Sequence, residues 1–174
     1  IIRQLFPDGF NQLQTATITG VYRSFLQALH HQCQQLAEGD EPLTLVLLTS
    51  GPWSKTWFEQ AYLARYLGLT LVQATDLTVR DNRLYLKTLQ GLVRVHGMLR
   101  RVDDSWMDAL ELRPESREGV PGLLQVMRDG QVVVANSPGS SFLESPALQG
   151  FLPPLARHLL DESLQIPSLP TWWC

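Results

Sequence analysis

With 174 residues, 44% of them hydrophobic and only 18% charged, the chain is long enough to bury one sizeable core and too apolar to be disordered. Its formal charge of -3, with both signs mixed along the sequence, gives no clustered basic face, so nucleic acid is not expected as a partner. The cysteines Cys33 and Cys174 form no disulfide framework, no signal peptide opens the chain, and no apolar run is long enough to span a membrane, so a reducing cytoplasmic setting without a membrane partner is expected. The chain opens Ile1-Ile2-Arg3 and closes Pro170-Thr171-Trp172-Trp173-Cys174, an aromatic cluster that ordinarily needs a covering segment. We therefore expect one α/β domain over residues 1–174, part of a longer protein, with 1–16 and 161–174 as connections.

From Thr17 the apolar residues Ile18, Val21, Tyr22, Phe25, Leu29, Cys33 and Leu36 recur at helical spacing, predicting an amphipathic covering helix that ends near Glu38-Gly39-Asp40. Leu43–Leu48 is a short continuous apolar run, the pattern of a strand buried on both faces of a parallel sheet. The turn Ser50-Gly51-Pro52 then feeds a helix opened by Thr56 with Glu59 three residues on, a capping box, and closed by Gly68. Leu69–Val72 is the next strand, so this stretch reads as a βαβ unit with a right-handed crossover. After Asp76 the period changes to two: Leu77-Thr78-Val79, the turn Asp81-Asn82, then Leu84 and Leu86, a hairpin attached to the α/β layer. Val93–Leu99 returns to the core as one strand. Pro121–Met127 reads as a helix that stops at Asp129-Gly130, Val132–Ala135 as another buried strand, and Pro146–Leu160 as a last helix broken or kinked at Pro153-Pro154.

Chemistry is expected where strands end. Residues 97–104, Gly-Met-Leu-Arg-Arg-Val-Asp-Asp, begin apolar and finish in two guanidinium groups and two carboxylates. Arginine grips carboxylates and phosphates bidentately, and ligands of open α/β sheets collect at the carboxyl ends of strands. Arg100, Arg101, Asp103 and Asp104 are therefore candidate substrate-binding residues, the bland reading being mutual surface pairing. Arg101, nearer the strand end, is expected to reach the cleft more fully than Arg100, because adjacent strand residues point to opposite faces. The strand end Asn136-Ser137-Pro138-Gly139-Ser140-Ser141 adds Asn136, Gly139, Ser140 and Ser141 to the same site, although those residue types also suit any strand-to-helix turn. Gly51, Pro52 and Trp53 form a possible cleft turn that lacks the glycine spacing and Lys-Ser/Thr ending of a P-loop. No metal site is expected: His30 and His31 are adjacent on a helix, and His96 and His158 have no Cys or acidic companions at ligand spacing. Neither cysteine sits in a context that activates a thiolate, and no Gly-x-Ser-x-Gly elbow occurs. A dinucleotide enzyme is disfavoured by the missing Gly-x-Gly-x-x-Gly after the first strand.

Taken in order, Thr49-x-Gly51-Pro52-Trp53 before Trp57-Phe58-Glu59-x-Ala61-Tyr62-Leu63-Ala64, Asp76-Leu77-Thr78-Val79-Arg80-Asp81, Leu99–Asp104, Gly119-Val120-Pro121-Gly122-Leu123, Ala135-Asn136, and Pro167-x-x-Pro170-Thr171-Trp172-Trp173-Cys174 form a specific set spread along nearly the whole chain. In this it resembles the circularly permuted ATP-grasp proteins, bacterial relatives of glutathionylspermidine synthase and other ATP-dependent carboxylate–amine ligases. Two departures stand at His96-Gly97, where members more often carry an acidic and an apolar residue, and at Trp53-Ser54, where Tyr or Val followed by Asn is common.

The resemblance implies a three-layer α/β/α fold with a mainly parallel sheet, similar to a pre-ATP-grasp (Rossmann-like) domain with an added β-hairpin. It implies that metal-holding carboxylates precede this stretch and nucleotide-binding lysines follow it. No cofactor would then be bound by this piece and no catalytic residue would lie within it, while ATP and Mg serve the full-length parent. The family chemistry is phosphorylation of a carboxylate by MgATP, then attack of an amine. By resemblance Arg100 and Arg101 orient a substrate carboxylate or stabilise developing phosphoryl charge, and Asp103 and Asp104 hold the arginines or the incoming amine. The implied partners are a small carboxylate, an amine or a peptide substrate, and the rest of the parent chain. The alternative is a protein- or peptide-interaction module of a degenerate ligase.

Overall fold

A computed structural model describes residues 2–172; Trp173 and Cys174 of the expected terminal cluster, and Ile1, lie outside the described residues. Two short helices, α1 (Ile2–Leu5) and α2 (Pro7–Gln12), precede the long helix α3 (Thr19–Gln34), which delivers the chain to β1 (Leu45–Leu48). Helix α4 (Trp57–Leu67) crosses to β2 (Thr70–Val72), which pairs parallel with β1. The chain then forms an antiparallel sheet of β3 (Leu77–Arg80), β4 (Arg83–Thr88) and β5 (Gly91–Arg94) before β6 (Gly97–Arg100) joins β1 in parallel on its other side. Helix α5 (Leu123–Arg128), β7 (Val133–Ala135) and helix α6 (Leu152–Leu160) complete the order. The parallel sheet runs β2-β1-β6-β7, so every buried run expected to be parallel lies in one sheet.

The alternation of β1 explains the layers. Leu45 and Leu47 face Leu29 and Cys33 of α3 and Ala64 and Leu67 of α4, while Val46 and Leu48 face a second core. That second core joins Met98 to Leu77 and Leu84 of the antiparallel sheet and to Leu123 and Val126 of α5. Each of these fully buried aliphatic side chains contributes roughly 1.5–3 kcal/mol. Gly97 lets α3 lie close on the sheet, since a Cβ there would run into Leu45 Cδ2 and Cys33 Sγ. Burial pushes the Cys33 thiol up to about 11, which leaves it inert.

The expected turns appear where their chemistry placed them: Gly68 closes α4 in the left-handed region at φ 70°, and Asp81-Asn82, at φ 48° and 57°, link β3 to β4 as a primed hairpin turn. Three local readings are corrected. Val93–Leu99 is not one strand. The Val95 N–H still donates to Leu84 O at 2.8 Å in the antiparallel sheet, whereas the next N–H, of His96, donates to Thr44 O at 2.9 Å beside β1, so the chain changes sheets between them. The capping box at Thr56 does not form: the Thr56 hydroxyl oxygen accepts from Gln60 Nε2 at 2.7 Å, and the Glu59 carboxylate turns to Arg101. Pro153-Pro154 does not break a helix. Pro146–Phe151 is a 3-10 turn, and α6 starts at Leu152 with the prolines in its first turn, where a missing N–H loses no helical bond.

Candidate ligand cleft at the carboxyl edge of the parallel sheet

From β1 the chain crosses to β2 on one side and later returns to β6 on the other, so the strand order reverses between β1 and β6, where open α/β sheets bind ligands. A cavity of about 240 Å³ opens there. Its walls come from separate parts of the sequence: Thr56 and Gln60 from the start of α4, Arg100, Arg101, Asp103 and Asp104 from the exit of β6, and Asn136, Ser140, Ser141 and Glu144 from the loop after β7. The strand stops at Arg100, so the alternation of faces ends there and both guanidinium-bearing residues line the cavity.

They do different work. Arg100 is buried, and its donors are engaged within the chain: Nε to Asn136 O at 3.1 Å, Nη1 to Val102 O at 2.5 Å, and Nη2 to Ser137 O at 3.3 Å and Ser140 Oγ at 3.5 Å. Asp104 Oδ1 lies 2.5 Å from Arg100 Nη2 as a charge pair without an aligned N–H. The Ser141 N–H donates to the other Asp104 oxygen at 3.1 Å. Burial pushes the Asp104 carboxyl up, but the Ser141 hydroxyl and N–H, the Arg100 guanidinium and the Gly139 N–H more than offset it and hold the group below the ordinary carboxylate value. Arg100 and Asp104 together pin the loop after β7 to the end of β6. Among the described residues Arg101 has one side-chain partner, the exposed Glu59, whose Oε1 accepts from Nη2 at 3.3 Å, so it is held less tightly than Arg100. Asp103 is exposed at the rim. Gly139 does not line the cavity; it sits behind it at φ 82°, aiming its N–H at Asp104.

Gly51, Pro52 and Trp53 do not line the cavity either. Gly51, at φ 101°, tucks under Gln73, where a Cβ would meet Oε1 at 2.5 Å, and its N–H donates to Thr49 Oγ1 at 3.1 Å. The Thr49 hydroxyl in turn donates to Gln60 Oε1. A Thr49–Gln60–Thr56 chain, buried at Thr49 and Gln60 and reaching the surface at Thr56, thus fixes the α4 wall. Sequence reading missed Thr56, Gln60 and Glu144 as lining residues. The i, i+4 spacing of Thr56 and Gln60 at the start of a crossover helix was the available signal for the first two; Glu144 had none.

The cleft offers a partly exposed guanidinium fork, rim carboxylates and fixed amides and hydroxyls, which suit binding and orientation of a polar ligand. Among the described residues no group of three or more His, Cys, Asp or Glu is placed to hold a metal, and Lys87 donates to Thr75 O beside the antiparallel sheet. His96 does have an acidic companion, Glu41 Oε2 at 3.5 Å, supplied by the segment before β1. A roomier groove between α3 and α4, about 600 Å³ and lined by Tyr22, Leu26, Tyr66 and Leu67, lies away from the Arg pair and gathers no comparable set of charges. No helix among the described residues is long and apolar enough to cross a membrane.

The sequence profile described as circularly permuted ATP-grasp type 2 matches residues 1–174. The chain is 40% identical over 173 residues to an uncharacterized protein of Mycobacterium tuberculosis, covering 99% of this chain and 19% of that relative. It is 31% identical over 174 residues to an uncharacterized protein of Synechocystis, covering 100% of this chain and 36% of the relative. A second uncharacterized M. tuberculosis protein is 30% identical over 171 residues, with 98% of this chain and 30% of the relative covered. The chain spans between 19% and 36% of the length of these relatives. With the profile matched end to end and the motif-bearing strand ends gathered at one sheet edge, the chain belongs to the circularly permuted ATP-grasp type 2 family.

Proposed function

We propose that this chain is the substrate-side domain of a longer cytoplasmic carboxylate–amine ligase, inactive alone, with nucleotide and metal held by other parts of that protein. The single observation that carries the reading is the division of labour at the end of β6: Arg100 is consumed by the loop and Asp104, which leaves Arg101, held among the described residues by the exposed Glu59 alone, as the guanidinium of the polar cavity that a ligand can engage. In this reading Arg101 orients a substrate carboxylate, Asp103 lies at the mouth where an amine approaches, and Asn136, Ser140 and Ser141 hold the remaining polar groups. No nucleophile from this chain is required. The test is MgATP-dependent amide formation by the full-length protein together with calorimetry on the 174-residue chain. Turnover by the former and no MgATP binding by the latter fit the proposal, and micromolar MgATP binding by the chain alone would sink it.

One feature favours the interaction-module reading. Trp53 and Phe58 are 96% and 88% exposed, and Tyr62 of α4 stacks on Tyr66 at 6.0 Å. Replacing Phe58 and Tyr62 by serine separates the two: an interaction module loses its partner, and a ligase domain retains turnover.

A further inference from the structure

We propose that Glu144 makes the cleft selective for a peptide-sized ligand bearing a protonated amine as well as a carboxylate, with the carboxylate on Arg101 and the ammonium on Glu144. The inference rests on the functional reading above and gives a role to a residue which that reading leaves idle.

The cavity of about 240 Å³ abuts a second of about 700 Å³, and Asn136, Ser140 and Glu144 line both. Glu144 is therefore part of the wall that the two share. The second cavity adds Val134, Ala135, Ser137 and Leu143, so a ligand portion that reaches it meets mainly carbon, while the charged end stays in the first. A ligand that fills both is longer than a single small acid. The charges point the same way. Arg100 and Asp104 neutralise one another and Arg101 pairs with the exposed Glu59, which leaves Asp103 at the rim and Glu144 on the facing loop as carboxylates of the cavity, and of these two Glu144 is the one that also lines the second cavity. Among the described residues Glu144 has neither an ion pair nor a side-chain hydrogen bond. A carboxylate left in water is comfortable, but one covered by ligand loses that solvation and is compensated only by a cation or a strong donor. The position of Glu144 is set, because it ends the turn Ser140–Glu144 whose Ser141 N–H is tied to Asp104.

The test uses the full-length protein and three probes: L-alanyl-L-alanine, its N-acetyl derivative and its C-terminal amide, titrated by calorimetry. Wild type is expected to bind the free dipeptide about tenfold or more tightly than the N-acetyl form, the factor expected of one charge-assisted contact. Glu144→Gln should bring the two within about twofold by weakening the free dipeptide alone, and Glu144→Asp should keep the preference. Arg101→Gln should weaken both carboxylate probes and leave the amide unchanged. Equal wild-type affinity for free and acetylated probes, or a preference that survives in Glu144→Gln, overturns the Glu144 assignment while the carboxylate-binding reading stands. If no probe binds wild type, or if Arg101→Gln binds like wild type, both fall. Glu144 is exposed, so an unaltered melting temperature certifies that its variants are folded.

Discussion

Replacing Arg100 and Arg101 one at a time by methionine separates a structural arginine from a ligand-facing one. Arg100→Met removes donors from Asn136 O, Val102 O and Ser137 O and strands the partly buried Asp104 carboxylate. Breaking one side of a buried, hydrogen-bonded charge pair costs about 3–5 kcal/mol, because the remaining charge is left uncompensated. For a domain of this size each kcal/mol is worth roughly 2–4 °C, so the melting temperature should fall by about 6–20 °C. Arg101→Met removes only a contact whose partner, Glu59, has 65% of its side chain exposed, an interaction worth at most ~1 kcal/mol after solvent screening. Its melting temperature should fall by no more than about 4 °C. The assay is thermal unfolding by circular dichroism, with Asp104→Asn and the Arg100→Met/Asp104→Asn double variant closing a cycle. Strong coupling is expected, the double variant losing less than the two single losses combined. Equal, small shifts for both arginines would refute the assignment of Arg100 to the loop tether.

Other outcomes follow from buried groups. Asp104 has a folded pKa below its ordinary value, so its tether is fully present above that value and is lost as pH falls through the folded one; the Ser141 amide resonance should shift only in that acidic range. Burial lowers the pKa of His96, with Glu41 opposing and Arg94 assisting, so below the ordinary value of 6.5 the unfolded chain takes up the proton first and stability falls. The loss of urea midpoint between neutral pH and about pH 5 should therefore be smaller in His96→Gln than in wild type. Asp108 is fully buried and accepts N–H groups of Leu110 at 2.8 Å, Gly122 at 3.1 Å and Leu124 at 3.0 Å, so Asp108→Ala should lose about 3 kcal/mol in denaturant titration by orphaning donors at the start of α5.

The parts of the fold legible in the sequence are those fixed by local patterns. Leu43–Leu48 and Val132–Ala135 announce parallel strands because both faces are apolar, although only Leu45–Leu48 is buried throughout and Val133–Ala135, at the sheet edge, is half-buried; Gly68 and Asp81-Asn82 announce their turns because few residues tolerate positive φ. The sheet change at Val95-His96 was hidden, since an apolar stretch looks the same whichever neighbour it bonds. Asp108 was hidden for a related reason: Gly122 and Leu124, which it caps, lie far along the chain. At the cleft, the convergence of the β6 and β7 ends followed from the parallel sheet. The split between Arg100 and Arg101 did not, because it depends on where the carbonyls of Asn136 and Ser137 come to rest.

The most direct test of the cleft is Arg101→Lys in the full-length protein, which keeps the charge and removes the bidentate fork. Ligase turnover should fall about tenfold or more with the melting temperature nearly unchanged. Normal turnover, or a variant that melts much earlier, would show that Arg101 is structural and that the cleft does not hold the substrate carboxylate.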